Sequence, residues 1–256
     1  MIEHRSMKHR PLYPLQPLRI SGGWQITLNT FHQLPFTPET LEWFDASVLI
    51  GGVHRQGQRC FDCAFLPEDD PGGEFVLSLM TYPQDRSNTA LGQEELLEEF
   101  RTRDTAQLIA RLETFMLDTT QQADPDSGHG AIAPLQAIRL PAGWEISHHQ
   151  LPQVAFGADT LPAFNHPLLL AGAGREHGFT LGFEPAPQGL GEFVLRVERF
   201  KRNRQRQAYN RTSAGELRTP DPHRALDAIE QFAQGIEWPL AGPDACLLPT
   251  HSEPGP

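Results

Sequence analysis

Apolar and polar residues alternate along residues 23–31. Trp24, Ile26 and Leu28 are separated by single polar residues, which is the period of a strand with one buried face. The pattern returns 120 residues later (144 − 24 = 120), where Trp144 begins a similar stretch. Self-similarity at a fixed distance indicates an internal duplication.

The repeat extends well beyond this strand. Residues 15–27 (LQPLRISGGWQIT) match residues 135–147 (LQAIRLPAGWEIS) without a gap. Further along, residues 61–77 (FDCAFLPEDDPGGEFVL) match residues 179–195 (FTLGFEPAPQGLGEFVL). The Pro- and Gly-rich middle of this block is typical of a turn between two strands. Each copy is therefore predicted to contain a tryptophan-bearing strand and a later β-hairpin.

Each copy closes with a segment that has helical periodicity. In the first copy, Asp104 is a good N-cap, and apolar residues recur at three- and four-residue spacing between Leu108 and Phe115. In the second copy, Asp221 and Pro222 form a cap and a first-turn proline before a similar stripe. We predict one amphipathic helix at the end of each copy.

These elements predict an α+β protein of two tandem homologous units, each an antiparallel sheet with a C-terminal amphipathic helix packed on it. The predicted boundaries are a leader at 1–14, unit one at 15–120, a linker at 121–134, unit two at 135–240 and a tail at 241–256.

The composition excludes several classes of protein. Apolar content of 39% and charged content of 21% are those of a globular chain. A net charge of −11 disfavours general binding to nucleic acid or to anionic membranes. No apolar run approaches the roughly 20 residues that span a bilayer, and the amino terminus lacks the apolar core of a secretory signal. We expect a cytoplasmic protein with neither a nucleic-acid nor a membrane partner.

Cys60 and Cys63 fit the C-x-x-C pattern of zinc and redox sites. A structural zinc site needs two more ligands, and the chain has no second C-x-x-C. The second copy places Leu181 where Cys63 stands, so Cys63 is predicted to lie in the core. We therefore predict no metal and no cofactor.

Catalytic motifs such as G-x-S-x-G, H-E-x-x-H and the P-loop do not occur. His148 and His149 are adjacent, but neighbours on a strand point to opposite faces and cannot easily share one ion. An enzyme would need convergent polar groups, which could be sought among these histidines, Arg139 and Arg175. We expect a protein that is not an enzyme.

The first hairpin carries an acidic turn. Glu68, Asp69 and Asp70 precede Pro-Gly-Gly, and the spacing of an EF-hand is absent. The turn is either a plain solvated loop tip or a contact for a basic partner.

The segments before the two closing helices differ in charge. Residues 93–100 (QEELLEEF) are acidic, whereas residues 199–211 (RFKRNRQRQAYNR) are basic and interleaved with aromatic residues. Three interpretations remain open: a nucleic-acid patch, a surface for a protein partner, or a solvated segment that matches the acidic one within the molecule. The candidate contact residues in the basic segment are Lys201, Arg202, Arg204 and Arg206.

The order of these features resembles bacterial polymorphic-toxin immunity proteins, which are paired with Rhs-type toxins of type VI secretion. That family has a GW-x-[IV]-x-x-N-x-F strand, a later G-x-[FY]-x-L strand and a helix with an Arg/Ser/Thr-rich cap. Here these elements look like residues 23–31, 73–77 and 101–104. The second copy departs from the pattern, with His149 for Asn29 and Leu151 for Phe31.

The resemblance is nearest to immunity proteins of ADP-ribosylating Rhs toxins. It implies a non-catalytic protein that binds and blocks a cognate toxin domain, which we expect to be basic because this chain is acidic. Two alternatives come from other classes: a secretion chaperone or adaptor for a neighbouring effector, and a small-molecule enzyme.

Overall fold

The computed structural model describes residues 13–44, 46–68, 70–82, 94–125, 134–203 and 208–235. Asp69, Arg204 and Arg206 of the candidate contact residues lie outside these ranges. The described elements, in chain order, are β1 (Trp24–Asn29), β2 (Ile50–His54), β3 (Arg59–Leu66), β4 (Glu74–Thr81), β5 (Leu96–Thr102), α1 (Thr105–Ala123), β6 (Glu145–His149), α2 (Leu161–Phe164), β7 (Leu170–Ala173), β8 (His177–Glu184), β9 (Glu192–Arg202), β10 (Ala208–Thr219) and α3 (Pro222–Ala233), with short 3-10 turns at Leu41–Trp43 and Ala158–Thr160.

All ten described strands belong to one antiparallel sheet, with the order β10-β9-β8-β7-β6-β1-β2-β3-β4-β5. The prediction of an α+β protein made of two tandem units, each with its own sheet and helix, is therefore wrong. The two copies of the repeat form the two halves of a single, mainly β structure. We call β1–β5 with α1 the first half and β6–β10 with α2 and α3 the second half.

The halves join where β1 lies beside β6. Trp24 is opposite Ile146 in this antiparallel pair. The Gly23 N–H donates to the Ile146 carbonyl at 2.6 Å, and the Gly143 N–H donates to the Ile26 carbonyl at 2.7 Å. These bonds use the edges of β1 and β6 that separate units would have left open, so the duplication yields one continuous sheet.

Two arginines bind across this junction in equivalent ways. Arg19 pairs with Glu113 of α1 at 2.7 Å, and its Nε donates to Gln153 of the second half at 3.1 Å. Arg139 pairs with Glu230 of α3 at 3.3 Å and donates to Gln33 of the first half at 2.9 Å. Each arginine thus ties the helix of its own half to a loop of the other.

One face of the sheet forms the core, and we call it the inner face. It carries alternate residues of the two hairpins, all of them buried: Phe61, Cys63, Phe65, Phe75, Leu77 and Leu79 in the first half, and Phe179, Leu181, Phe183, Phe193, Leu195 and Val197 in the second. The apolar stripes of α1 and α3 pack on this face, because each helix is amphipathic and must bury one side.

A buried tryptophan anchors each helix to the sheet. The indole Nε1 of Trp24 donates to the Met116 carbonyl of α1 at 3.0 Å. The indole of Trp144 donates to the Ala233 carbonyl of α3 at 3.1 Å. Ala233 is the last residue of α3, where carbonyls lack a donor within the helix. Met116 lies inside α1, and its carbonyl also accepts from the Thr120 hydroxyl at 3.1 Å. The repeated tryptophan of the sequence therefore positions the helices.

Several local predictions are confirmed. Both hairpins form, as β3–β4 and β8–β9. Asp104 caps α1 by accepting from the Ala106 and Gln107 N–H groups, and Asp221 caps α3 by accepting from the His223 N–H. The helix α1 runs to Ala123, into the segment from 121 that was predicted as a linker.

Candidate protein-binding surface

The opposite face of the sheet, which we call the outer face, carries the alternate strand positions. It presents Asp62 and Ala64 on β3 and Thr180 and Gly182 on β8. The aromatic residues of the described helices contact the inner face instead, as the pairing of Phe115 with Trp24 illustrates. We therefore compare the side chains that the two halves carry on the outer face.

The second half carries a closed ring of four charged side chains on its outer face. Glu184 accepts from Arg196 at 3.0 Å and from Arg218 at 2.8 Å. Glu216 accepts from the same two arginines, at 2.8 and 2.7 Å. The strand register brings these residues together, since Arg196 lies opposite Glu216 in the β9–β10 pair. Two carboxylates and two guanidinium groups thus neutralise one another.

The ring changes the ionisation of its members. Hydrogen bonds from Arg218 and then Arg196 lower the pKa of Glu184. Hydrogen bonds to Glu184 and then Glu216 raise the pKa of Arg218. These side chains are largely solvent-exposed, so each ion pair contributes little to the free energy of unfolding. The pairs hold the four charges in fixed positions. Sequence analysis missed it, although the alternation of Glu216 and Arg218 on one strand is a signal of a charged face.

The first half has lost this ring. The positions equivalent to Glu184, Arg196, Glu216 and Arg218 are Leu66, Ser78, Glu99 and Arg101 (184 − 118 = 66, 196 − 118 = 78, 216 − 117 = 99, 218 − 117 = 101). Only the Glu99–Arg101 pair remains, at 2.7 Å. Leu66 is 38% exposed. The two halves share a backbone plan but present different chemistry on the same face.

The predicted acidic turn joins β3 to β4. Glu68 and Asp70 are exposed, while Asp69 lies outside the described residues. The Asp70 carboxylate accepts from the Gly72 N–H at 2.8 Å, and its carbonyl accepts from the Gly73 N–H. Asp70 therefore stabilises the turn itself. Glu68 is the other described acidic side chain of this turn, and it makes no such bond.

The predicted basic segment forms the end of the β9–β10 hairpin. Lys201 is exposed at the end of β9. Arg202 donates to the Gly174 carbonyl at 3.0 Å and stacks on Phe200, with its guanidinium carbon 5.1 Å from the ring centroid. Arg211 lies near the same ring, at 5.8 Å. Phe200 is buried, and these arginines cover it through cation–π contacts.

The structure does not bring the acidic turn and the basic hairpin together. They lie at the same end of the strands but about seven strand spacings apart in the sheet order, roughly 35 Å. The acidic strand β5 and the basic strand β10 occupy the two opposite edges of the sheet. The acidic side chains of β5 and the basic side chains of β10 therefore cannot form ion pairs with each other within one molecule.

The polar groups considered for an enzyme have structural contacts. The Nδ1 of His149, in the core, is 2.7 Å from the Ile20 carbonyl across the junction. Burial lowers the pKa of His148, which favours its neutral form. Arg139 is held by Glu230 and Gln33, as described above. His149 and Arg139 thus take part in contacts between the two halves.

The two described cysteines do not form a reactive pair. Cys63 lies on the inner face and Cys60 on the outer face, because the two positions are an odd number of residues apart along β3. Burial is the main cause that raises the pKa of both thiols to about 12. Neither is a thiolate at neutral pH, and thiolate is the form that attacks disulfides and binds zinc. Cys246 lies outside the described residues.

An open cleft of about 430 Å³ lies beside the β8–β9 turn. It is lined by proline, alanine, glycine and leucine residues, by Gln188, and by the charged side chains of Glu184, Glu192 and Arg218. No histidine, cysteine or serine lines it. Two of its charged side chains already belong to the ring, so the cleft offers no free acid–base pair of the usual kind.

His54 forms a buried polar contact that sequence analysis did not identify. The Gly57 N–H donates to its Nδ1 at 2.8 Å, and its Nε2 lies 3.2 Å from the Gly22 carbonyl. Because Nδ1 accepts a bond, the ring is neutral and Nε2 carries the proton. Burial lowers the pKa of His54.

We expect the buried neutral ring of His54 to make the protein less stable in mild acid. The unfolded chain binds a proton at His54 near its ordinary pKa of about 6.5, whereas the folded chain resists protonation. Stability is therefore full above that pH and falls as the pH drops toward the lower folded pKa. Urea unfolding at pH 7.5 and pH 5.5 should show a smaller pH-dependent loss for His54→Gln than for the wild type. An equal loss in both proteins would contradict this assignment. The matched control is His223→Gln, which changes an exposed histidine.

Within the described ranges, no group of three or more His, Cys, Asp or Glu side chains is placed to hold a metal ion. The described helices also include none that is long and apolar enough to cross a bilayer. Comparison with known proteins found no matching family model, no matching curated protein and no matching solved structure.

Proposed function

We propose that the protein is a non-catalytic immunity protein that binds and blocks a cognate toxin domain. The sequence resemblance supports this proposal, and so does the difference between the two halves of the outer face. In the second half the charges pair within the molecule. In the first half Leu66 is exposed and the glutamates near β5 outnumber their basic partners. Unpaired charge beside exposed apolar surface is typical of a protein-binding region.

The acidic character of the chain fits a basic partner. Exposed carboxylates steer an oppositely charged protein and raise its association rate. Glu68 at the β3–β4 turn and the glutamates of β5 both lie in the first half. We therefore place the partner on the first half, with the second half as a brace that extends and stabilises the sheet through the β1–β6 junction.

A chaperone for apolar segments is the second candidate, and the surface favours it less. Such a protein would need a continuous apolar groove. The large apolar side chains that are more than a third exposed lie on four strands (β1, β3, β5 and β10) or in a loop, and Leu96 and Leu97 are the pair that shares a strand. In the described chain they are Leu28, Leu66, Leu96, Leu97, Val154 and Tyr209.

The test is a growth assay with purification. Toxin domains encoded in genes adjacent to that of this protein are expressed in a bacterial host, with and without it. We expect one domain to arrest growth, this protein to restore growth, and the two to co-purify as a stable complex. Failure of rescue and of co-purification for every adjacent toxin domain would overturn the proposal.

Charge reversal then locates the contact. We expect Glu68→Lys to weaken toxin binding by roughly two- to fivefold, mainly through slower association, because it is an exposed charge. The matched reversal Lys201→Glu in the second half should leave the affinity unchanged. Surface plasmon resonance at low and high salt gives both rates. A loss confined to Lys201→Glu would place the partner on the second half instead.

A further inference from the structure

The strand β5 forms one edge of the sheet. It pairs with β4 between Leu96 and Thr102, with one register shift at Leu97, and with no other described strand. Half of the backbone N–H and C=O groups of an edge strand point away from the sheet and lack a strand partner. Such an edge can accept another strand through main-chain hydrogen bonds.

Two large apolar side chains lie on this edge. Leu96 is 58% exposed and Leu97 is 51% exposed, the highest values among the large apolar residues of the described chain. Exposed adjacent leucines on an edge strand are unfavourable in water, and natural proteins usually protect such an edge. Their burial requires a partner that reaches the same edge.

Glutamates surround the two leucines. Glu94, Glu95 and Glu99 are exposed, and Glu98 is partly buried. Glu98 binds Arg111 of α1, with a 2.8 Å bond from the arginine Nε, so it fixes the strand to the helix. Glu99 is also paired with Arg101, and Glu94 forms a side-chain hydrogen bond with the Cys60 thiol. Like charges directly opposite each other repel, which disfavours pairing of β5 with β5 of a second copy.

The other edge of the sheet is protected differently. The strand β10 departs from regular pairing with β9 at two places, between Tyr209 and Thr212 and between Ser213 and Gly215. Asn210 has a φ of 50°, which turns the backbone away from the extended form. Bulges that twist an edge strand hinder further strand addition. The strand β5 has one register shift, at Leu97, and pairs regularly from Glu98 to Thr102, so the acidic edge is the more regular of the two.

We propose that β5 is the docking edge for a basic extended segment of the partner protein, which adds to the sheet as an eleventh strand. Apolar side chains of that segment cover Leu96 and Leu97, and its lysine or arginine side chains lie near Glu94, Glu95 and Glu99. This inference deepens the proposed function and rests on it for the existence of a protein partner. A second copy of this chain would be the other occupant, since its β10 edge is basic, but the irregular backbone of β10 does not suit it.

The test uses a defined probe, a fluorescein-labelled peptide of alternating lysine and valine with blocked ends, and the full-length protein. Fluorescence anisotropy measures its affinity for the wild type and for two double variants, Leu96→Ser with Leu97→Ser and Glu95→Lys with Glu99→Lys. We expect each double variant to bind at least roughly tenfold more weakly. These side chains are exposed, so circular dichroism and the unfolding midpoint should remain close to those of the wild type.

The matched control is the opposite edge. The pair Tyr209→Ser with Lys201→Glu changes an exposed aromatic residue and an exposed charge on the β9–β10 hairpin, and we expect it to leave peptide affinity unchanged. Hydrogen exchange then shows which edge strand the peptide binds. On peptide binding, exchange should slow over Leu96–Thr102 and not over Ala208–Thr219, because strand addition protects the outward N–H groups.

Three results would overturn the inference: no peptide binding to the wild type, equal affinity in all variants, or protection at β10 rather than β5. Sedimentation experiments test whether a second copy is the occupant. It is the occupant if the protein self-associates with increasing concentration and the β10 control variant abolishes that association. The growth assay separates the two proposals. Rescue that survives both β5 double variants rejects the docking edge and keeps the immunity function, whereas peptide binding at β5 without any rescue rejects the immunity function alone.

Discussion

Replacement of Gly23 with alanine is expected to destabilise the protein far more than the same replacement of Gly143, its counterpart in the second half. The two glycines have nearly equal positive φ angles, +89° and +91°. A side chain at either position therefore meets the same backbone strain, about 1–2 kcal/mol. The surroundings differ, because a Cβ at Gly23 would lie 2.2 Å from the Nε2 of His54, whereas nothing lies within 4 Å of one at Gly143.

The ring of His54 would have to move, and its buried bonds to Gly57 and Gly22 would break. An unsatisfied buried polar group costs about 1–3 kcal/mol. We therefore expect Gly23→Ala to lower the free energy of unfolding by about 2–5 kcal/mol, and Gly143→Ala by about 1–2 kcal/mol. Urea unfolding measures both. Equal losses would mean that His54 does not pack against Gly23, and a double variant with His54→Ala should recover part of the difference.

The second large effect is expected at Trp24. Its side chain is fully buried, contacts Phe61 and Phe115, and donates to the Met116 carbonyl. Replacement of a core aromatic residue by alanine costs about 3–5 kcal/mol, and here the Met116 carbonyl also loses one of its donors. We expect Trp24→Ala to lower the free energy of unfolding by at least about 3 kcal/mol, whereas Leu28→Ala, on the same strand and 37% exposed, should change it by less than about 0.5 kcal/mol.

The regions that Trp24→Ala destabilises test whether the two halves form one continuous sheet. Because β1 pairs with β6 and the core residues of both halves form one cluster, we expect Trp24→Ala to speed hydrogen exchange in β6–β9 as well as in β1–β4. Faster exchange confined to the first half would show that the halves unfold independently. That result would contradict the continuous sheet across the β1–β6 junction.

Local features of the fold were predictable because they depend on nearby residues. The alternation around Trp24 and Trp144 gave the two strands, and Asp104 and Asp221 gave the helix starts. The joining of the halves was not predictable from these patterns. It depends on backbone hydrogen bonds such as that from Gly23 to Ile146, and an alternating strand has the same pattern at an edge as at the centre of a sheet.

The candidate surface was predictable only in part. Sequence analysis identified the charged segments, and Glu68 and Lys201 are indeed exposed. It could not predict that Asp70 is used by its own turn or that Arg202 covers Phe200. These roles depend on side-chain contacts between strands whose register the sequence leaves open.

The β1–β6 junction has a consequence for stoichiometry. A pair of identical chains joined in this way would carry two copies of every surface, and any change in one copy would appear in the other. In this protein the two copies are covalently linked and have diverged, so the charged ring occurs in the second half and the Leu96–Leu97 edge in the first. Each molecule therefore offers one such edge, and a partner that binds there would be held in a complex of one partner per chain.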